Sequence, residues 1–199
     1  MTDFIRKTSE ERIKEILDAA LKVFLKKGYS NTTMEDIINE TSLSKGGFYY
    51  YFNNKEDIFL MILEEDTKNN IDFINNLNLK GSNKEILDSF VFNVLEIINN
   101  VQEKNKIYPM FLLEAMSNPK FKEFSSKTQK KYLDIIVDKL YLSLFEVDKA
   151  ILKKKISFLS DIFHSIKLYS TIFNKNESFE ENNKLLQEFF QLSILSEFY

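Results

Sequence analysis

Apolar residues recur at intervals of three and four along most of the chain, the spacing that lines one face of an α-helix. Between Ser9 and Lys27 the stripe is Ile13, Ile16, Leu17, Ala20, Leu21 and Phe24, and Gly28 then offers a residue that tolerates a left-handed C-cap. A short helix, about Thr33 to Glu40, has Ile37 and Ile38 to bury. After the turn Thr41-Ser42-Leu43-Ser44, a third helix of about two turns, Lys45 to Phe52, has Phe48 and Phe52. Asn54 caps a fourth helix that reaches Leu77 or beyond before Gly81. Starts are also marked by Thr8-x-x-Glu11, Thr32-x-x-Glu35, Ser82-x-x-Glu85 and Ser178-x-x-Glu181, which fit the capping box, and by Asn118-Pro119, a cap followed by proline at the first helical position.

From Ser82 onward the helices become longer and more apolar, roughly Asn83 to Val101, Ile107 to Met116, Pro119 to Leu144, Lys149 to Phe173 and Phe179 to Glu197. The pattern predicts an all-α fold of about nine helices. The last two carry apolar residues on more than one face: Ile156, Phe158, Leu159, Ile162, Phe163, Ile166, Leu168, Tyr169, Ile172 and Phe173 in one, Leu185, Leu186, Phe189, Phe190, Leu192, Ile194, Leu195 and Phe198 in the other. One stripe fills the protomer's own core. The other needs a partner, and pairing these helices from two chains about a two-fold axis buries the surplus in a four-helix bundle. The competing reading is a fully buried central helix in a monomer.

Composition narrows the choice of chemistry. All four glycines lie in the first 81 residues and only two prolines are present, which leaves few turn signals for a many-stranded sheet. With no cysteine, a disulfide framework and a cysteine zinc site are both excluded, and a reducing cytoplasm fits. The opening Met-Thr-Asp-Phe-Ile-Arg-Lys has no apolar signal core, and no run of about 18 uncharged apolar residues follows. A soluble cytoplasmic protein with no membrane partner is therefore expected. His164 is the single histidine, so a histidine-rich metal site is excluded, and no cofactor is expected. An enzyme finds little support: there is no phosphate-binding glycine loop and no Ser, His and carboxylate constellation.

Two short helices joined by a four-residue turn and braced by a first helix make the three-helix form of the helix-turn-helix. This reading assigns residues 1–55 to a DNA-binding domain, about 55–80 to a connecting helix and 82–199 to a helical domain that holds the dimerisation surface and, as the resemblance described below implies, senses a ligand. The helix from Lys45 exposes Lys45, Gly46, Gly47, Tyr49, Tyr50 and Tyr51 while hiding Phe48 and Phe52. Its two glycines permit close approach of the backbone to a partner. Charge tempers the reading: the net charge is −3, and Met1 to Asp57 holds nine Lys and Arg against ten Asp and Glu. Affinity for DNA must come from a few placed cations, backbone amides and dimerisation.

Ile16-Leu-Asp-Ala-Ala-Leu-Lys-Val-Phe24, Lys27-Gly-Tyr-Ser-Asn-Thr-Thr33, Asp36-Ile37 and Leu43-Ser-Lys-Gly-Gly-Phe-Tyr-Tyr-Tyr-Phe52, followed by Asn54-Lys55-Glu56, together resemble the DNA-binding segment of the TetR family of repressors. The resemblance covers about residues 10 to 63. It implies that Thr33 opens the second helix near a phosphate and that Ser44, Lys45, Gly46 and Gly47 open the recognition helix in the major groove, with Lys45 reaching a guanine edge or a phosphate. It also implies that Tyr49, Tyr50 and Tyr51 meet the DNA backbone or a thymine methyl, and that Lys55 contacts a phosphate. Arg6 and Lys7 precede the first helix as a short arm toward a minor groove. Ser42 stands where the family often has glycine, and a positive φ there is uncomfortable for serine.

What the family implies for the second half is a small-molecule effector that favours one of two domain arrangements, releasing double-stranded operator DNA from a homodimer. Tyr108, Glu114, Asn93, Gln129, His164 and Tyr169 are the polar candidates for a pocket, each competing with ordinary core packing. The abundance of aromatic residues favours a lipophilic effector. A helical protein-interaction module that kept the motif without DNA binding is the remaining alternative, separated from a repressor by salt-dependent binding to a palindromic duplex.

Overall fold

The structure, a computed structural model, describes residues 7–99, 106–173, 185–186, 188–190 and 192–194, and no strand occurs among them. The helices run α1 (Ser9–Lys27), α2 (Met34–Asn39), α3 (Lys45–Tyr49), α4 (Lys55–Asn76), α5 (Asn83–Asn99), α6 (Ile107–Ala115), α7 (Pro119–Ser143) and α8 (Lys149–Phe173). The described residues within 185–194 are helical as well. The chain divides into two compact units, Met1–Thr67 and Lys68–Tyr199.

Helix boundaries follow from short-range chemistry. Thr8 Oγ1 accepts from the Glu11 amide at 3.2 Å and the Glu11 carboxylate accepts from the Thr8 amide at 2.7 Å, so α1 starts on a complete capping box. Asn54 Oδ1 accepts from the Asp57 amide at 2.8 Å, Ser82 and Glu85 exchange the same pair of bonds, and Asn118 Oδ1 accepts from Lys120 with Pro119 behind it. The expected box Ser178-x-x-Glu181 lies outside the described residues.

Two expectations need correction. Gly28 has φ 77° and ψ 158°. That is not the left-handed helical cap but a region that essentially only glycine enters, and it throws the chain straight out of α1. The box at Thr32 and Glu35 sits one residue later: Thr33 is the N-cap of α2 and Asp36 its partner. Thr32 is buried, and its Oγ1 donates to the Gly28 carbonyl at 2.7 Å. That hydroxyl is committed to the end of α1, so the next threonine takes the cap.

In the first unit Ile16, Leu17, Ala20, Val23 and Phe24 of α1, Ile37 and Ile38 of α2, Phe48 of α3 and Phe52 are buried, as are Ile58 and Phe59 on α4. The second unit has its own core, built from Leu87, Phe90 and Val91 on α5, Val137 and Leu140 on α7, Leu152, Ile156 and Leu159 on α8, and Phe190 and Ile194 beyond them. Helix α7 packs along α8, and α6 touches both. No helix among the described residues is long and apolar enough to cross a membrane.

Candidate functional site

The exposed end of the first unit is made by α2, α3 and the turn between them. Thr33 caps α2 through Asp36, whose carboxylate in turn accepts from the Thr33 amide at 3.0 Å and hydroxyl at 2.8 Å. Lys27 from α1 also pairs with Asp36. The lysine contact, then the Thr33 bonds, hold the Asp36 carboxyl down at about 2. Ser44 caps α3, its Oγ accepting from the Gly47 amide at 3.2 Å. The helix is only Lys45–Tyr49, shorter than the two turns expected, but hydrogen bonds from the Tyr50 amide to Gly46 and from Phe52 to Phe48 carry the coil onward.

Phe48 and Phe52 anchor this segment inward, while Tyr50 is 81% exposed and Tyr49 38%. Tyr51 is half-buried, with its ring edge-on to Tyr50 at 5.0 Å. The three tyrosines therefore divide into one largely exposed ring, Tyr50, and two that are more covered. A Cβ on Gly46 meets nothing within 4 Å, whereas one on Gly47 lies 3.3 Å from Ser44 Oγ. Gly46 thus faces open space, and Gly47 is kept small by the cap itself. Lys45 is exposed and paired with Glu35 of α2 at 3.2 Å.

Ser42 does not adopt a positive φ, since Glu146 is the non-glycine residue that does so among those described. Instead its amide donates to Glu15 Oε1 at 2.7 Å and its Oγ accepts from Arg12 at 2.8 Å. Arg12 and Lys7 also bond Glu15 Oε2, at 2.8 and 2.9 Å. These contacts, led by Ser42, lower the Glu15 carboxyl to about 2. The turn is tied to the middle of α1, a network with no signal in sequence beyond the spacing of Arg12 and Glu15. Arg6 of the expected arm lies outside the described residues. The Lys55 ammonium sits on the backbone carbonyls of Tyr29, Ser30 and Thr32 at 2.8, 3.3 and 2.8 Å.

In the second unit a cavity of about 60 Å³ lies among α5, α7, α8 and the helical residues near 190. Phe90, Val94, Tyr132, Ile136, Phe163 and Phe190 form much of its wall, and among the described residues no Asp, Glu, Lys or Arg lines it. Of the polar candidates only His164 reaches it. The His164 Nδ1 lies 2.7 Å from the Ser160 carbonyl, one turn earlier on α8. Tyr108 stands behind His164, rings 6.0 Å apart, and burial pushes its hydroxyl up to about 12. The other candidates fall elsewhere: Asn93 bonds the Ser89 carbonyl, Gln129 reaches Asp161 at 3.4 Å on the surface, Glu114 is half-buried outside the cavity wall, and Tyr169 is 52% exposed.

Residues 16–62 match the family model of the bacterial regulatory proteins, tetR family. No curated protein matches the chain in sequence. Among solved structures, the transcriptional regulator FadR from Bacillus subtilis in complex with stearoyl-CoA is similar at a TM-score of 0.70 and 20% identity, over 91% of this chain and 98% of that one. A TetR transcription regulator from Haloarcula marismortui gives 0.73 and 16%, over 90% and 96%. A regulator from Saccharomonospora viridis in complex with choline gives 0.71 and 20%, over 92% and 97%. At these identities the likeness is one of fold. The resemblance to the TetR family and the all-helical fold class are borne out. The matching family model is one of bacterial regulatory proteins, and the three neighbours are named as transcription regulators.

Proposed function

We propose that this chain is a tetR-family regulator, a repressor that binds a palindromic operator as a homodimer and is released by a small lipophilic effector. The observation that carries the DNA half is the short capped helix α3, which with its C-cap presents Lys45, open backbone at Gly46 and the largely exposed Tyr50 from a helix pair whose apolar side is buried. Thr33, Ser44, Gly47, Tyr49 and Tyr51 complete the surface offered to a groove. Cytoplasmic residence follows from this reading.

For the homodimer, the support is a second apolar face. On α8 Phe158 and Ile172 are 61% and 56% exposed, and near the end of the chain Leu185 and Leu192 are 63% and 69% exposed. Ile156, Leu159, Phe190 and Ile194 on the same segments are buried in the core. A self-complementary contact through the last two helices covers what one chain leaves in water.

The described wall of the cavity, apolar but for Tyr132, Ser160 and His164, suits a neutral apolar effector better than a charged one, because a bare ion against it loses its hydration without repayment. At about 60 Å³ it is smaller than the roughly 150 Å³ cavity that accepts benzene in an engineered protein. An effector of useful size must therefore move aromatic side chains as it enters. That is how a ligand comes to bind one arrangement more tightly, the requirement for shifting a population. Reversing a 99:1 preference takes about 5.5 kcal/mol of differential affinity.

Selection of bound duplexes from a random pool tests the reading. A palindrome whose half-sites are about one helical turn apart, bound more weakly as salt rises, is the expected product. Recovery of no preferred duplex, or equal binding by Lys45→Ala and Tyr50→Phe variants, ends it.

A further inference from the structure

We infer that Lys55 serves the helix pair as an internal clamp, placing α2 from within the domain rather than by holding a phosphate. The inference rests on the operator-binding reading only for its functional consequence. Its geometry stands alone.

A lysine ammonium has three N–H donors and no acceptor. Here they meet Tyr29, Ser30 and Thr32 carbonyls at 2.8, 3.3 and 2.8 Å. The head group also sits 4.5 Å from the centre of the Tyr29 ring, close enough for a cation–π contact. One turn further along α4, Phe59 packs edge-on against that ring at 4.7 Å. Lys55 and Phe59, four apart and hence on one face of α4, grip Tyr29 together. Tyr29 is itself buried against Phe24 of α1, with ring centres 5.5 Å apart.

The carbonyls converge because the chain leaves α1 through the unusual backbone of Gly28 and then closes a turn, the Thr32 amide donating to the Tyr29 carbonyl at 3.1 Å. Thr32 is joined by its carbonyl to Thr33, the N-cap of α2. Holding that carbonyl fixes the peptide from which α2 departs. A phosphate could claim the ammonium only by taking it from these bonds, and a half-buried cation exchanges such partners at a cost. The arrangement predicts that Lys55 contributes to operator binding through the pose of α2 and α3, with no counterion of its own to release.

The experiment compares the full-length protein with K55M, K55R and, as a control, K45M. Amide hydrogen exchange at residues 29–36 is measured without DNA, and the salt dependence of affinity with the selected duplex. The methionine keeps the stem and removes every donor. The arginine keeps the charge but replaces the compact ammonium by a planar fork. The clamp predicts faster exchange at 29–36 in both Lys55 variants. Both should lose operator affinity about tenfold or more while keeping the wild-type salt slope, since a phosphate contact alone adds to that slope. K45M should instead lower the slope by about 0.9 per half-site if its ammonium meets a phosphate.

Wild-type affinity in K55R, together with a slope lowered by about 0.9 per half-site and unchanged exchange in K55M, overturns the clamp in favour of a phosphate contact. Should K55M lose its helical circular dichroism, K55R alone decides between the two. If the wild-type protein shows no salt-dependent duplex binding, the regulator reading fails, and the exchange data still accept or reject the clamp.

Discussion

A side chain added at Gly46 would meet no atom within 4 Å, while one at Gly47 would press on Ser44 Oγ at 3.3 Å. Gly46→Ala should therefore leave thermal stability unchanged or raise it by up to about 1 kcal/mol, the usual gain of alanine over glycine in a helix. If a duplex approaches the backbone there, the same change should weaken operator binding, a combination that packing alone does not produce. Gly28 is constrained by conformation, not space, since its Cβ site is open but its φ is 77°. Gly28→Ala should cost about 1–3 kcal/mol in chemical denaturation. An unaffected midpoint would mean that the chain leaves α1 by another route.

Helix α1 is joined to α2 through Asp36 and to the α2–α3 turn through Glu15, by carboxylates rather than by greasy contact alone. Glu15, held by Ser42, Lys7 and Arg12, and Asp36, held by Lys27 and Thr33, both have carboxyls lowered to about 2 from ordinary values of 4.5 and 3.8. Groups lowered by folding stabilise the native state above their unfolded values and lose that contribution as pH falls toward the folded ones. Stability should then decline between about pH 4.5 and about 2, and Glu15→Gln with Asp36→Asn should flatten this limb in urea titrations. An unaltered acid limb would place the linkage elsewhere. In the second unit α5, α7 and α8 enclose the cavity, and Val94→Phe should fill it. That variant should still bind operator but respond less to any neutral lipophilic compound that releases the wild type.

The exposed Phe158 and Leu192 lie on segments whose other faces are committed to the core. Charges placed there should spare the protomer and disrupt a two-fold contact. Phe158→Glu with Leu192→Glu is expected to sediment as a monomer at micromolar concentration, with operator affinity reduced by at least about a hundredfold because two half-sites no longer act through one linked ligand. A wild-type chain that is itself monomeric would remove the homodimer from the proposal. Charge enters at this scale too, because Lys45 meets Glu35 on its own surface. Glu35→Gln should strengthen duplex binding severalfold at low salt and less at high salt, where screening already weakens the competition.

Features set within four residues of one another were readable directly from the chain. Ile16, Leu17, Ala20 and Phe24 of the first stripe, the caps at Thr8, Asn54, Ser82 and Asn118, and the inward Phe48 and Phe52 follow from helical geometry, whereas Ile13 and Leu21 of that stripe are only half-buried and Ala19 and Val23 are buried in addition. Where two local solutions competed, packing chose: Thr32 was drawn to Gly28, so Thr33 became the cap. The links from Arg12 and Glu15 to Ser42, and from Lys55 to the carbonyls of 29–32, join positions more than twenty residues apart. The cavity wall likewise gathers residues from α5 to the end of the chain, admitting His164 and passing over the other polar candidates. Periodicity says which side of a helix turns inward, but which inward residues meet depends on how helices cross, and that is a property of the assembled core.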